Sequence, residues 1–337
     1  MIKTIRFWFN NARPQALPQS MMPAVTTLFL AFGWCDCFTW REALIAIIAV
    51  FGAMAGHLGI NLFDDYFDFK VKNTFYRENM THQGMRARIK KCDYLTSGQT
   101  TLRSLLIAAC VFSAIALIGG LIIFLRRGEV ILYLAMAAAI LGIFYSGPPL
   151  RLSYRGLGEL LIGLMFGPML MTGVYYAACG TFNPSVLFIS VPIGLLVANV
   201  VYIHSIMDYE PDKQVGKMTF AVLLGNKKLM LITLFFILFI SYGMIVGGVV
   251  TGYLSGYYLS VFITLPAAIS LYRLVFQFVH NPMRTFSPRF WMGPLGNWEG
   301  IKSVGLDWFM IRWLLARNLL TFFCLIIIVV TLLLKFI

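Results

Sequence analysis

The sequence predicts an all-α, polytopic membrane protein with about nine transmembrane helices, its amino terminus cytoplasmic and its carboxy terminus outside. Two observations predict it: apolar runs of spanning length recur along the whole chain, and the basic residues between them fall in alternate loops. Of 337 residues, 59% are hydrophobic and 12% charged, against about 25% charged in an ordinary soluble domain. No soluble core absorbs that much apolar side chain, so lipid is the medium around most of the chain.

The runs occupy residues 17–38, 42–62, 101–125, 130–146, 157–179, 185–207, 228–250, 254–275 and 309–334. Each is close to the ~20 residues a spanning helix needs. The amino terminus has no short apolar stretch with a small-residue cleavage site, so the first run is expected to stay as an anchor. The whole chain, 1–337, reads as one integral-membrane domain. Its two long loops, 69–100 and 276–308, exceed the ~12–15 residues of a plain connection and are candidate lids.

Positive residues are retained on the cytoplasmic side of a membrane, which orients the spans. With the amino terminus inside, the cytoplasmic segments carry twenty-two lysines and arginines, from Lys3, Arg6 and Arg13 to Arg289, Lys302 and Arg312. The opposite side carries four, Arg41, Arg126, Arg127 and Lys335, and Arg317 lies within a span. The net charge of +13 is thus explained by topology and by basic loops meeting anionic lipid headgroups. No basic, aromatic-interleaved soluble module exists to bind nucleic acid, and no obligate protein partner is evident.

Six cysteines, Cys35, Cys37, Cys92, Cys110, Cys179 and Cys324, lie mostly in apolar runs without the spacing of a metal site and read as packing residues. Cys35-Asp36-Cys37 falls at the outer end of the first span, where a one-residue spacer argues against a disulfide within the motif.

The acids are few and clustered. Six of fourteen fall in two segments, Asn61-Leu62-Phe63-Asp64-Asp65-Tyr66-Phe67-Asp68 and Asp208-Tyr209-Glu210-Pro211-Asp212, each at the cytoplasmic end of a span. At 100° per residue, Asn61, Asp64, Asp65 and Asp68 share an arc of roughly 100° on a helix. Like charges crowded there repel, and acids at a helix carboxy terminus oppose its dipole, unless a cation compensates them. Carboxylates with an amide oxygen are hard ligands suited to Mg²⁺, which commonly bridges protein acids to substrate phosphates. The expected metal ligands are therefore Asn61, Asp64, Asp65, Asp68, Asp208 and Asp212. Pro211 is expected to end or restart the helix of the second segment. His204, one turn before Asp208, reads as a packed hydrogen-bonding histidine, with a ligand or general base as the alternative, and Glu159 as a helix-start acid.

Two acidic segments with metal between them and basic loops above suit a diphosphate, and a lipid chain on that diphosphate could lie among the helices. Candidate diphosphate ligands are Arg13, Lys72, Arg86 and Lys217. The expected catalytic set is Asp65, Asp68, Asp208 and Asp212 with Tyr145, whose aromatic face could stabilise an allylic carbocation.

At these residues the chain resembles the UbiA superfamily of intramembrane prenyltransferases. The first motif resembles the family's Asn/Asp-rich segment at Asn61, Asp65 and Asp68. The second matches at Asp208 and Asp212, followed by Gly216-Lys217-Met218-Thr219. Arg13-Pro14 with Leu17-Pro18, Tyr145-Ser146-Gly147-Pro148, and Leu157-Gly158-Glu159-Leu160 leading to Phe166-Gly167-Pro168 are similar to the menaquinone branch. The resemblance implies a nine-helix fold and Mg²⁺-dependent transfer of a prenyl group from a polyprenyl diphosphate to an aromatic acceptor, 1,4-dihydroxy-2-naphthoate, at the cytoplasmic face of a bacterial inner membrane. Asp64 stands where that branch has asparagine, Lys72 and Thr74 where a further acid is expected, and His204, Ser205 and Met207 in place of an Asn-Asn-x-Arg pattern. Another aromatic or lipid acceptor is the nearest alternative. A transporter coupled to ions or protons is the alternative of another class, disfavoured because the acids sit at helix ends rather than at the midplane.

The topology carries its own test. Cysteines introduced at Gly84 and Asn297 are expected to react with a membrane-impermeant maleimide only from the cytoplasmic side of sealed vesicles, and labelling of either from outside overturns the assignment.

Overall fold

The computed structural model describes residues 2–36, 38–70, 92–214, 216–282 and 286–337. In chain order the helices are α1 (Ile2–Asn11), α2 (Pro18–Trp34), α3 (Trp40–Lys70), α4 (Asp93–Thr96), α5 (Leu102–Arg127), α6 (Glu129–Ser146), α7 (Gly158–Leu164), α8 (Leu170–Cys179), α9 (Ser185–Met207), α10 (Tyr209–Gln214), α11 (Phe220–Leu224), α12 (Lys227–Val250), α13 (Leu265–His280), α14 (Trp298–Ser303) and α15 (Asp307–Phe336). Among the described residues, eight helices are long and apolar enough to cross a membrane. The first predicted span is α2, whose 17 residues fall at the short end of the spanning range. Lipid forbids unsatisfied backbone, which is why these segments are helical throughout.

Two spans depart from a plain α-helix. The fifth passes from α7 through a π-turn over Met165–Met169 into α8, because Pro168 offers no N–H to the ladder. The eighth begins as a 3₁₀ segment, Gly256–Thr264, and becomes α13 only where Pro266 enters the first turn, a position at which a missing N–H costs nothing.

The chain divides into two compact units, residues 1–154 with 169–182, and residues 155–168 with 183–337. The first is organised around α3, which lies along α5 on a seam of small residues. A Cβ on Gly59 of α3 would stand 2.8 Å from Ser113 Oγ and one on Gly56 would stand 3.6 Å from Ala116 Cβ. Small residues let backbones approach where no hydrophobic force draws helices together. Several polar groups of this unit are paired inside it: Thr26 and Thr27 donate to the carbonyls of Met22 and Pro23, and Ser20 Oγ pairs with His57 Nδ1 at 2.7 Å.

The second unit is built on α9, which buries Ile189, Ile193, Leu196, Val197, Val200 and Ile203 completely and packs against α7, α12 and α15. Its closest approach is glycine on glycine. A Cβ on Gly167 would meet the Gly194 Cα at 2.4 Å and the Ser190 carbonyl oxygen at 2.7 Å, so neither neighbour can yield by turning a side chain.

Gly167→Ala or Gly194→Ala is therefore expected to cost about 1–3 kcal/mol through overpacking, read as a lowered melting temperature in detergent. Gly120→Ala, where an added Cβ meets nothing within 4 Å, is the control and should leave melting unchanged or slightly raised.

Candidate active site

Helix α3 continues past the predicted end of its span and carries the first acidic segment on its last turns. Asp65 and Asp68 are buried, 2% and 3% exposed, so their charges need partners. Arg13 supplies one: its Nη2 lies 2.9 Å from Asp64 Oδ2 and 3.2 Å from Asp65 Oδ1, and it also donates to the Asn61 carbonyl. Burial works against the Arg13 charge, but Asp65 and then Asp64 outweigh it and the guanidinium pKa is raised. Reaching this position puts the Arg13 backbone at φ 63, ψ 57, a left-handed conformation costing a non-glycine residue roughly 1–2 kcal/mol, which the carboxylate contacts offset.

Three hydroxyls complete the surroundings. Ser146, ending α6, donates to Asp64 Oδ1 at 2.5 Å, Tyr94 of α4 donates to Asp65 Oδ2 at 3.0 Å, and Tyr154 donates to Asp68 Oδ1. Burial, then the Asp65 charge, raises the Tyr94 pKa, so this phenol stays a donor. Asn61 Nδ2 donates to the Ala12 carbonyl at 3.0 Å, fixing the residue before Arg13. Tyr145, adjacent to Ser146, is half-buried. The first unit thus gathers Asn61, Asp64, Asp65, Asp68 and Arg13, while Lys72, Thr74 and Arg86 lie outside the described residues.

In the second unit, α9 ends at Met207 and Asp208 forms the turn into α10. Pro211 lies in the first turn of that short helix, where it breaks no bond. The backbone runs on regularly: the Asp212 N–H donates to the Asp208 carbonyl at 2.8 Å and the Lys217 N–H to the Asp212 carbonyl at 2.9 Å. Asp208 and Asp212 are 1% and 3% exposed. His204 Nε2 stands 3.1 Å from Asp208 Oδ2 with its ring edge-on to Phe309, a geometry that orients the carboxylate.

Glu159 does more than begin α7. Buried at 4% exposure, it accepts from Ser205 Oγ on α9 and from the Phe220 N–H at 3.2 Å, while the Gly156 N–H donates to the Met218 carbonyl at 2.6 Å. These bonds hold the 216–219 turn that carries Lys217 onto the end of α9.

Within neither unit do three or more His, Cys, Asp or Glu side chains among the described residues form a preassembled metal-ligand group. The donor chemistry nevertheless fits a hard cation: both segments present buried carboxylate oxygens, with an asparagine in the first, and neither offers sulfur.

A model of the UbiA prenyltransferase family matches residues 20–292. The chain belongs to the UbiA prenyltransferase family. It is 26% identical to the 1,4-dihydroxy-2-naphthoate octaprenyltransferase of Bacillus subtilis, the match covering 80% of this chain and 81% of that protein. It is also 26% identical to the 2-carboxy-1,4-naphthoquinone phytyltransferase of Synechocystis, over 90% and 94% respectively. Its fold is similar to that of a digeranylgeranylglyceryl phosphate synthase (TM-score 0.59, 14% identity, 99% of each chain). A UbiA homologue from Archaeoglobus fulgidus bound to GPP and Mg²⁺ is comparable in fold, with TM-score 0.57 and 15% identity over 98% and 99% of the two chains. The protein is therefore a prenyltransferase of the UbiA fold.

Asp64 is engaged by Arg13 and Ser146, so its charge is met by residues from two other segments of the first unit. Arg13→Met is expected to lower stability by about 3 kcal/mol by leaving buried carboxylates uncompensated. Adding Asp64→Asn should restore part of the loss. Thermal unfolding of the single and double variants in detergent checks this, and strictly additive losses overturn the coupling.

Proposed function

We propose that this enzyme transfers a prenyl group from a polyprenyl diphosphate to 1,4-dihydroxy-2-naphthoate, a step of menaquinone synthesis, at the cytoplasmic face of a bacterial inner membrane. The observation that carries the reading is the burial of oxygen-only acidic segments at two helix ends in a chain similar, over most of its length, to proteins named for naphthoate prenylation. A second relative of that name, from Mycobacterium tuberculosis, is 27% identical over 66% of this chain.

In this reading Asn61, Asp64, Asp65, Asp68, Asp208 and Asp212 are the ligands for Mg²⁺, which when bound supplies positive charge against the diphosphate. Lys217, Lys72 and Arg86 bind diphosphate oxygens. Arg13 joins them while holding Asp64 and Asp65. The allylic C–O bond breaks, diphosphate leaves with the electron pair, a ring carbon of the acceptor supplies the electrons of the new C–C bond, and the ring recovers its aromaticity by releasing the proton, or the carboxyl group as carbon dioxide, that this carbon carried. Tyr145 presents its π face to the cation between those two events. Loops 69–100 and 276–308 act as lids that keep water from capturing it, and the whole chain serves as one catalytic domain.

Asp68→Asn and Asp212→Asn each remove a ligand charge and are expected to lower turnover at least about a hundredfold while leaving melting in detergent close to the parent. The assay is Mg²⁺-dependent consumption of polyprenyl diphosphate with 1,4-dihydroxy-2-naphthoate, the product identified by mass spectrometry. Full activity in either variant overturns the ligand assignment, and turnover only with other acceptors overturns the substrate.

A further inference from the structure

Helix α1 precedes the first span and presents two unlike faces. At 100° per residue, Phe7, Trp8 and Asn11 share an arc of about 100° on one side, and Ile5, Arg6 and Phe9 share an arc of about the same width on the other. The first face is packed. Phe7 and Trp8 set their rings edge-on to Tyr94, with centroids 6.2 and 6.1 Å from it, and join the cluster that buries Ala12, Leu58 and Leu62. The second face is open: Ile5 is 60% and Phe9 40% exposed, and Lys3 and Arg6 beside them are exposed too. The chain has no acid before Asp36, so none on α1 itself answers the two cations.

Two connections fix where this face lies. Only residues 12–17 separate α1 from α2, and part of that stretch is wound into a 3₁₀ turn over Pro14–Ala16. Helix α1 therefore stays within about 20 Å of the start of the span, at the level where apolar helix meets headgroups. The same stretch is fastened to the first acidic segment: Asn61 Nδ2 donates to the Ala12 carbonyl at 3.0 Å, and Arg13 stands 2.9 and 3.2 Å from Asp64 and Asp65. From the packed face, Tyr94 donates to Asp65 Oδ2 at 3.0 Å. Asp65 is thus tied to α1 from two directions while the outer face of the helix stays open. An exposed apolar pair beside basic residues, at this level, is the pattern of a helix lying in the membrane interface. A second copy of the chain meeting the face about a two-fold axis would bring its own Lys3 and Arg6 against these, whereas anionic headgroups neutralise them.

We propose that α1 is a docking helix for anionic phospholipid, with Ile5 and Phe9 entering the boundary between headgroups and acyl chains and Lys3 and Arg6 meeting the net negative charge of the headgroups. Each basic residue close to an anionic surface strengthens the association by about fivefold, and the pair by about thirtyfold. A helix held by lipid on its outer face has less freedom to lift Phe7 and Trp8 from Tyr94. Lipid binding and the clamped arrangement of Asp64 and Asp65 then reinforce one another.

The test is hydrogen–deuterium exchange of the full-length protein in nanodiscs of phosphatidylcholine with and without phosphatidylglycerol, read by mass spectrometry on peptides covering α1 and α4. The expected result is exchange slowed at least about tenfold in α1, and slowed in parallel in α4, when phosphatidylglycerol is present. High salt should abolish the difference. Lys3→Gln with Arg6→Gln should remove the response to phosphatidylglycerol without changing melting in detergent, and Ile5→Ser with Phe9→Ser should speed α1 exchange in both lipids. Equal exchange of α1 in the two lipids, or protection that survives the loss of both cations, overturns the docking. Protection of α1 with α4 unchanged overturns its hold on the first acidic segment, and protection that follows protein concentration in detergent overturns lipid as the occupant in favour of a second copy of the chain.

Discussion

Carboxylates held away from water at the ends of apolar helices are the constraint around which each unit is arranged. An ionised carboxyl is expensive to bury unless charge and hydrogen bonds surround it. At Asp65 and Asp68 the compensation comes from chain segments on either side in sequence: Arg13 before the first span, Tyr94 after the long loop, Tyr154 after the fourth span. The unusual backbone of Arg13, the placement of the short α4 and the turn after α6 follow from that requirement. Asp208 and Glu159 impose the same logic on the other unit, fixing His204, Ser205 and the turn before α11.

Between these ends the helices are held by shape. Lipid tails are as apolar as the side chains, so association depends on close backbone approach, which explains why glycine rather than leucine lies at the tightest points: Gly59 against Ser113, Gly167 against Gly194. Bulky apolar residues such as Phe51, Ile107, Leu117 and Ile118 are left on the surface, as expected of helices whose outer faces meet lipid. A carboxylate oriented by a hydrogen bond remains oriented only if the helix beneath it does not roll.

Much of this was legible in the sequence because the signals were local. Spanning length, alternating basic loops, and the helical face shared by Asn61, Asp64, Asp65 and Asp68 are all read within windows of about twenty residues, and the helix that bears them is present as α3. A break in helix near Pro211 was legible for the same reason, although the chain turns at Asp208 and Pro211 lies in the first turn of the helix that follows. Long-range partners were not. Tyr154 reaches Asp68 across 86 residues and Ser146 reaches Asp64 across 82, and no periodicity encodes either. Tyr94 lay beyond a loop whose length pointed to function without identifying a residue. Glu159 read as a helix-start acid because its first-turn position was visible, whereas its bonds to Ser205 and Phe220 depend on how α7 meets α9.

The role of Arg13 follows from counting charges rather than from motif matching. Asp64, Asp65 and Asp68 place three carboxylates on one helix end, and a divalent ion alone would leave one of them uncompensated. The guanidinium touches Asp64 and Asp65, and Tyr154 donates to Asp68. An arginine fork can span two carboxylates because its planar donors are fixed relative to one another, which a lysine ammonium cannot reproduce. The acid at position 64 therefore does not simply add to the negative charge of this helix end. It gives the arginine a second anchor, so the segment preceding α2 and the last turns of α3 are held together by the same group that makes burial of Asp65 tolerable.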